Sequence, residues 1–203
     1  MKEHILQLVA RLSSRVFLGE ELCRDSRWLD ITINYTVDAF MAADELRLWN
    51  PLLRPFVHWF LPRCRRLRSQ IKEAYATIEP VLEARKAHKA SAAETGGEQR
   101  KYEDTIEWFE SLAKGRAYDP IRVQLGLSIA AIHTTTDLIT QTLFDLAQHP
   151  EFIEPLREEI GRVVVVEGWT KTALFKMKLL DSVIKETQRM KPISLGMCCL
   201  ALP

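Results

Sequence analysis

Apolar residues recur along this chain at intervals of three and four, the spacing that gathers one face of an α-helix. Residues 3–18 set Ile5, Leu8, Val9, Leu12 and Val16 on one stripe, and Gly19 supplies a stop. A second helix is predicted from about Glu21 to Ala43, ending before Asn50-Pro51. Residues 51–62 hold three prolines and three aromatics and read as irregular or briefly helical. A strongly polar helix follows to about His88, with Pro80 expected to kink or split it. Residues 89–100, small and polar with a Gly-Gly pair, read as a surface loop. Glu103–Lys114 is a short helix with a narrow apolar face of Ile106, Phe109 and Leu112, and Gly115 ends it.

The longest pattern comes next. Asp119-Pro120 is a helix start signal, an N-cap acid followed by proline at the first helical position. Apolar periodicity then runs from Ile121 to Gln148, roughly 40 Å at about 1.5 Å per residue. Inside it sits a polar interruption, His133-Thr134-Thr135-Thr136. Consecutive threonines are poor helix-interior residues, because β-branching limits their rotamers and their hydroxyls compete for backbone carbonyls. Such a cluster finds partners in the core or lines a cavity. After Pro150 an amphipathic helix begins near Glu154, Val163–Val166 is a β-branched run, and Thr170 is an N-cap candidate. The last helix spans about Lys178–Met190 and is closed by Pro192; the uncharged tail ISLGMCCLALP resembles a core strand. The fold class is therefore mainly α, a helical bundle around one long central helix with little β.

Length and composition narrow the function classes. At 203 residues the chain is one large domain or a piece of a bigger one. Its 28 basic and 27 acidic residues balance, so no general attraction to nucleic acid is expected. The cysteines Cys23, Cys64, Cys198 and Cys199 form no CxxC pair, which points away from zinc and from a disulfide framework and toward a reducing, intracellular compartment. No transmembrane span or signal peptide is expected. Residues 51–68 leave two readings open. Phe56, Trp59 and Phe60 beside Arg63, Arg65, Arg66 and Arg68 fit a membrane-surface contact, or else core anchors next to a solvated basic face.

Two features then combine. Ala130-Ala131-Ile132-His133-Thr134-Thr135 lies within the long helix, and Lys185-Glu186-Thr187-Gln188-Arg189-Met190-Lys191-Pro192 carries an E-x-x-R followed by proline. Between them lies LFDLAQHPEFIEPLREEI. In this order and spacing the chain resembles the central part of a cytochrome P-450, most similar to fungal members, with residues 121–148 as the family's I helix and 178–190 as its K helix. An E-x-x-R alone is an ordinary exposed helical ion pair.

The resemblance implies haem as cofactor, a lipophilic small-molecule substrate, a reductase partner and a monooxygenase reaction, plausible in fungal secondary metabolism. It implies that Thr134 orients water and delivers protons on the oxygen side of the haem, with His133 where an acid is usual. A histidine can relay protons near neutral pH, and it can equally be a satisfied core residue. Ala130, Ala131 and Thr135 would form the haem-facing groove, Glu186 and Arg189 a structural pair, and Ser194, Leu195 and Met197 part of the substrate pocket. The family's iron is held by a cysteine in an F-x-x-G-x-x-x-C-x-G loop, and no such motif occurs in these residues. Cys198-Cys199 lacks the Phe-x-x-Gly lead-in, so no residue here is assigned to the metal. The expectation is a partial, truncated P-450 domain over 1–203, inactive by itself. The other readings are a pseudoenzyme or a helical interaction protein without catalysis. Full-length relatives are anchored in the endoplasmic-reticulum membrane.

Overall fold

The computed structural model describes residues 1–95 and 101–192. Among these residues every regular element is helical: α1 (Lys2–Leu18), α2 (Ser26–Arg47), α3 (Arg54–Val57), α4 (Pro62–Thr95), α5 (Thr105–Ala113), α6 (Pro120–Gln148), a 3₁₀ turn (Pro150–Phe152), α7 (Ile153–Glu167), α8 (Lys171–Lys176) and α9 (Lys178–Met190). The chain divides into two compact units, one spanning Leu6–His133 and the other joining Met1–Ile5 to the residues from Thr134 onward.

In the first unit α1, α2, α4, α5 and the start of α6 share a core. Leu18, Trp28, Ile31, Ala74, Ile78, Ile106, Ile121 and Leu125 are buried together, with Tyr35 and Tyr75 packed against them. Trp28 donates its indole N–H to the buried Ser14 hydroxyl at 3.0 Å, so its polar atom is satisfied inside the core. Asp25 caps α2 by accepting from the Trp28 N–H at 2.9 Å, which places the helix start later than the apolar pattern predicts.

A charged network joins three elements beneath that core. Arg85 of α4 donates to Asp104 Oδ2 at 2.7 Å and to the Leu18 carbonyl at 3.1 Å, at the end of α1. Asp104 Oδ1 in turn accepts from the Glu107 N–H at 3.1 Å and caps α5. The guanidinium also lies 4.3 Å from the centre of the Tyr102 ring. Gly19 passes close by with φ +77°, and a Cβ there would lie 2.8 Å from Asp104 Oδ2. This position needs glycine for its backbone angle and for its space.

Three sequence expectations change here. Pro80 does not split α4, which continues through it from Pro62 to Thr95. Buried Ala74 and Ile78 before the proline, and Arg85 after it, tie both sides to the same unit, and this packing outweighs one missing backbone bond. Residues 89–95 are helix, not loop: alanine and lysine are good helix formers, and Lys89 reaches Glu107 and Glu110 of α5 at 2.8 Å each. The stripe on α1 is largely uncovered. Val9 is buried together with Ala10, Ser14 and Leu18, while Leu8, Leu12 and Val16 are exposed.

The second unit centres on α7, α8 and α9, where Val163, Ala173 and Met177 are buried with Ile160, Val164 and Leu180 beside them. The β-branched run Val163–Val166 is helical, as part of α7. Glu159 of α7 is buried and accepts the Leu179 and Leu180 N–H groups at 2.8 and 3.0 Å. It thereby caps α9 from another helix. Burial alone would raise the Glu159 carboxyl, but these backbone donors, with that of Lys178, outweigh it and hold the group below its ordinary range.

Candidate functional site

The long helix α6 starts as the sequence predicts. Asp119 Oδ1 accepts from the Ile121 and Arg122 N–H groups at 3.1 Å each, and Asp119 Oδ2 accepts the Tyr75 hydroxyl. Desolvation would raise the Asp119 carboxyl; the Tyr75 hydroxyl and the two backbone donors reverse this and lower it.

The helix has two contrasting faces. Ile121, Leu125, Ser128, Ile132, Thr136 and Thr140 form a buried stripe at four-residue spacing, broken once by a step of three. Its hydroxyls turn back onto their own helix: Ser128 donates to the Gln124 carbonyl at 2.9 Å, Thr140 to Thr136 at 2.7 Å and the nearby Thr142 to Leu138 at 2.8 Å. That removes most of the penalty of burying polar groups. Away from it Gly126 and Ala130 lie about one turn apart on an exposed face, and Thr135, Ile139 and Leu143 make a second exposed line, about 140° round the helix from Ala130. A Cβ added at Gly126 would meet nothing within 4 Å.

The predicted site residues fall on both faces. Ala130 and Thr135 are exposed about 140° apart around α6, with Ala131 and Thr134 half-buried on the arc between them. Ala130 and Thr134, like Ala131 and Thr135, are one turn apart, about 6 Å along the axis. His133 is half-buried and points elsewhere: its Nε2 lies 2.8 Å from the Ile33 carbonyl of α2. A carbonyl can only accept, so Nε2 carries the proton and donates it. This geometry is that of a satisfied structural histidine, and it occupies one of the two nitrogens that a relay would use.

Glu186 and Arg189 form a two-bond ion pair on α9, with Arg189 Nε to Glu186 Oε2 at 2.8 Å and Nη2 to Oε1 at 2.6 Å. The pair is exposed, at 59% for Glu186 and 67% for Arg189, so its own stabilisation is small. It borders a cleft of about 570 Å³ in the second unit, lined also by Leu146, Phe152, Val183 and Met190. Asp145 sits at the cleft edge, bonded to Lys191 Nζ at 2.5 Å, and the ammonium holds its carboxyl below the usual range. Ala130, Ala131, His133, Thr134 and Thr135 do not line this cleft. Ser194, Leu195 and Met197 lie outside the described residues.

For a haem, the open face of α6 offers small side chains along which a flat ring can lie. An axial ligand is another matter. Cys23 and Cys64 are both buried; Cys64 packs with Ala42 and Leu61, and Cys23 Sγ is bonded to the Glu20 carbonyl at 3.5 Å. Among the described residues there is no cluster of three or more His, Cys, Asp or Glu suited to a metal ion. The small side chains of α6 would leave room for a flat ring, and among the described residues neither cysteine is placed to hold its iron.

Sequence reasoning missed Glu159 and the Arg85–Asp104 pair. Asp104 carried a local signal, an N-cap acid before α5. Glu159 carried none, because its helix partners lie twenty residues away in sequence.

The sequence model of the family described as Cytochrome P-450 matches residues 1–197. The chain is 53% identical over 197 residues to cytochrome P-450 monooxygenase 1 of Gibberella fujikuroi, covering 96% of this chain and 44% of that protein. It is 57% identical over 191 residues to the cytochrome P-450 monooxygenase hepE of Aspergillus oryzae, covering 93% and 35%. With ptmU of Penicillium ochrochloron, also a cytochrome P-450 monooxygenase, identity is 51% over 196 residues, covering 96% and 38%. The chain thus spans less than half the length of these relatives. A family match across nearly all its residues, a long helix with a small-residue face and an ion-paired E-x-x-R helix lead to one conclusion: the chain belongs to the cytochrome P-450 family.

Proposed function

We propose that these residues are the oxygen-side portion of a fungal haem-dependent monooxygenase that oxidises a lipophilic small molecule, in secondary metabolism, with electrons from a reductase. The observation that carries this reading is α6, whose open, small-residue face runs past Thr134. When bound, the haem supplies the oxidation chemistry. Thr134, on that side of α6, would hold a water and relay a proton from it through its hydroxyl, which is reprotonated in the same transfer. Ala130, Ala131 and Thr135 keep the face low enough for a flat ring. His133 positions α2 against α6 through the Ile33 carbonyl and is not the relay. Glu186 and Arg189 are structural. Residues 51–68 meet a membrane surface, a reading favoured by the exposure of Phe56, Trp59 and Phe60 at 69, 58 and 72%.

Residues 1–203 alone do not perform the oxidation, since none of their cysteines has the surroundings of the axial ligand. The test has two arms. The 203-residue chain, incubated with haem and reduced under carbon monoxide, gives no thiolate-type spectrum; such a spectrum would overturn the proposal of inactivity. Residues 1–197, exchanged for the matching part of the Gibberella fujikuroi relative, give a chimera with that spectrum and with substrate turnover. In the chimera Thr134→Ala lowers product formed per electron consumed by about a hundredfold, the low end of the range for losing a proton-transfer group. His133→Gln, which keeps a donor for Ile33, leaves the pH profile of turnover unchanged. A shifted profile would restore His133 to the relay.

A further inference from the structure

We infer that the outer face of α7 is a surface on which two copies of this chain pair, antiparallel about Val165, with Trp169 of each copy seated over Gly161 of the other and Glu158 set against Lys171.

The face is apolar where a solvated helix would carry charge. The inner side of α7 is used by Leu156, Glu159 and Val163, all buried. On the outer side Val165 and Val166 are 85 and 75% exposed, and Trp169, just beyond the helix end, is 81% exposed. An aromatic side chain contributes about 150–250 Å² to a contact, so Trp169 and the two valines leave roughly several hundred Å² of apolar surface. A patch of that size marks a contact site on a soluble domain.

The turn that carries Trp169 is already built. Gly168 leaves α7 at φ +65°, with its N–H bonded to the Val164 carbonyl at 2.9 Å. Thr170 then starts α8 by accepting from the Ala173 N–H at 3.2 Å, and Lys176 of α8 reaches back to Glu167 at 2.5 Å. Pairing through Trp169 therefore orders no loop.

Gly161 gives the indole a place to go. It lies inside α7 on the outer side, one turn before Val165, where glycine weakens a helix relative to alanine. A Cβ there would meet nothing within 4 Å, so no contact among the described residues calls for the missing side chain.

These features are symmetric about Val165, and that symmetry selects a second copy as the occupant. Gly161 lies four residues before Val165 and Trp169 four after, roughly 6 Å along the helix either way. An antiparallel copy crossing at Val165 thus brings each Trp169 level with the other copy's Gly161. The charges keep the same register: Glu158 lies seven residues before Val165 and Lys171 six after. Among the described residues neither has an ion pair within its own chain. A twofold pairing repeats every contact, so both Glu158–Lys171 pairs form together. Two such patches with their flanking side chains reach the roughly 1,200 Å² at which specific interfaces begin.

Sedimentation velocity of the 203-residue chain over a concentration series tests this. A monomer–dimer equilibrium in about the micromolar range is expected, and a monomer throughout would overturn the proposal. Glu158→Lys and Lys171→Glu, both at exposed positions, each set like charges together twice and weaken the dimer by about tenfold or more. An equimolar mixture of the two variants regains wild-type association, because a mixed dimer has opposite charges at both contacts. Association that neither variant weakens, or variants that do not rescue each other, would overturn this pairing and place any dimer on another surface. Gly161→Leu fills the notch and is expected to abolish pairing while thermal melts show equal or higher stability, leucine being the better helix former. Undiminished pairing in that variant would overturn the seat of Trp169.

Discussion

Replacing Arg85 by methionine removes the cation bonded to Asp104 among the described residues and leaves the carboxylate where it was. Both partners are enclosed, with side chains 6% and 2% exposed. A buried carboxylate deprived of its cation costs about 3–5 kcal/mol, well beyond the ordinary cost of a surface ion pair. Part of Asp104 stays satisfied by the Glu107 N–H, so the lower half of that range is expected, about 3–4 kcal/mol. With a urea dependence of about 2 kcal/mol per molar, the unfolding midpoint followed by circular dichroism falls by between about 1.5 and 2 M. The companion Asp104→Asn keeps an oxygen for the α5 cap and removes the charge. The double variant is therefore more stable than Arg85→Met alone, by about 2 kcal/mol. Additive single effects, or a midpoint shift under about 0.5 M for Arg85→Met, would refute the account of a desolvated, mutually dependent pair.

Gly19→Ala strains a positive-φ position and presses a methyl against Asp104 and Arg85, so it destabilises by about 1–3 kcal/mol in the same urea assay, where glycine-to-alanine changes at neutral sites stabilise. A neutral effect would show that the loop rearranges freely. Glu159→Gln weakens the cap of α9 by about 1–2 kcal/mol at neutral pH. Because the folded carboxyl is held below its ordinary value of 4.5, its stabilisation is fully present above that pH and fades as pH falls toward the lowered folded value. The gap between wild type and Glu159→Gln therefore closes in thermal melts below about pH 4.5, and a gap persisting in acid would count against the charged cap.

Much of this architecture is legible in the sequence where the signal is local. Asp119-Pro120 marks the start of α6, Thr170 caps α8 by accepting from Ala173, and α9 spans Lys178–Met190 as the pattern predicts. The P-450 resemblance is equally local, carried by short ordered motifs. What a periodic stripe cannot encode is its cover. Leu8, Leu12 and Val16 share a face of α1 yet stay exposed, while the small residues Ala10 and Ser14 are buried. Nor does a loop-like composition report tertiary anchors, as Lys89 shows by extending α4 toward the acids of α5. At the candidate site, sequence places His133 beside Thr134 on α6, but only the fold supplies the Ile33 carbonyl that claims its Nε2.

The hydroxyls along the buried side of α6 carry one more implication. Ser128, Thr140 and Thr142 each spend their proton on the carbonyl four residues back in the same helix. To whatever lies alongside, those three positions therefore behave as nearly apolar, while Gln124 of the same helix takes the Thr105 hydroxyl of α5 at 2.9 Å. Positions facing those three hydroxyls are freed from providing matched acceptors and can exchange one aliphatic side chain for another without orphaning a hydroxyl. A helix built this way is a portable part: its own sequence is constrained, while the packing around it is left free to diversify.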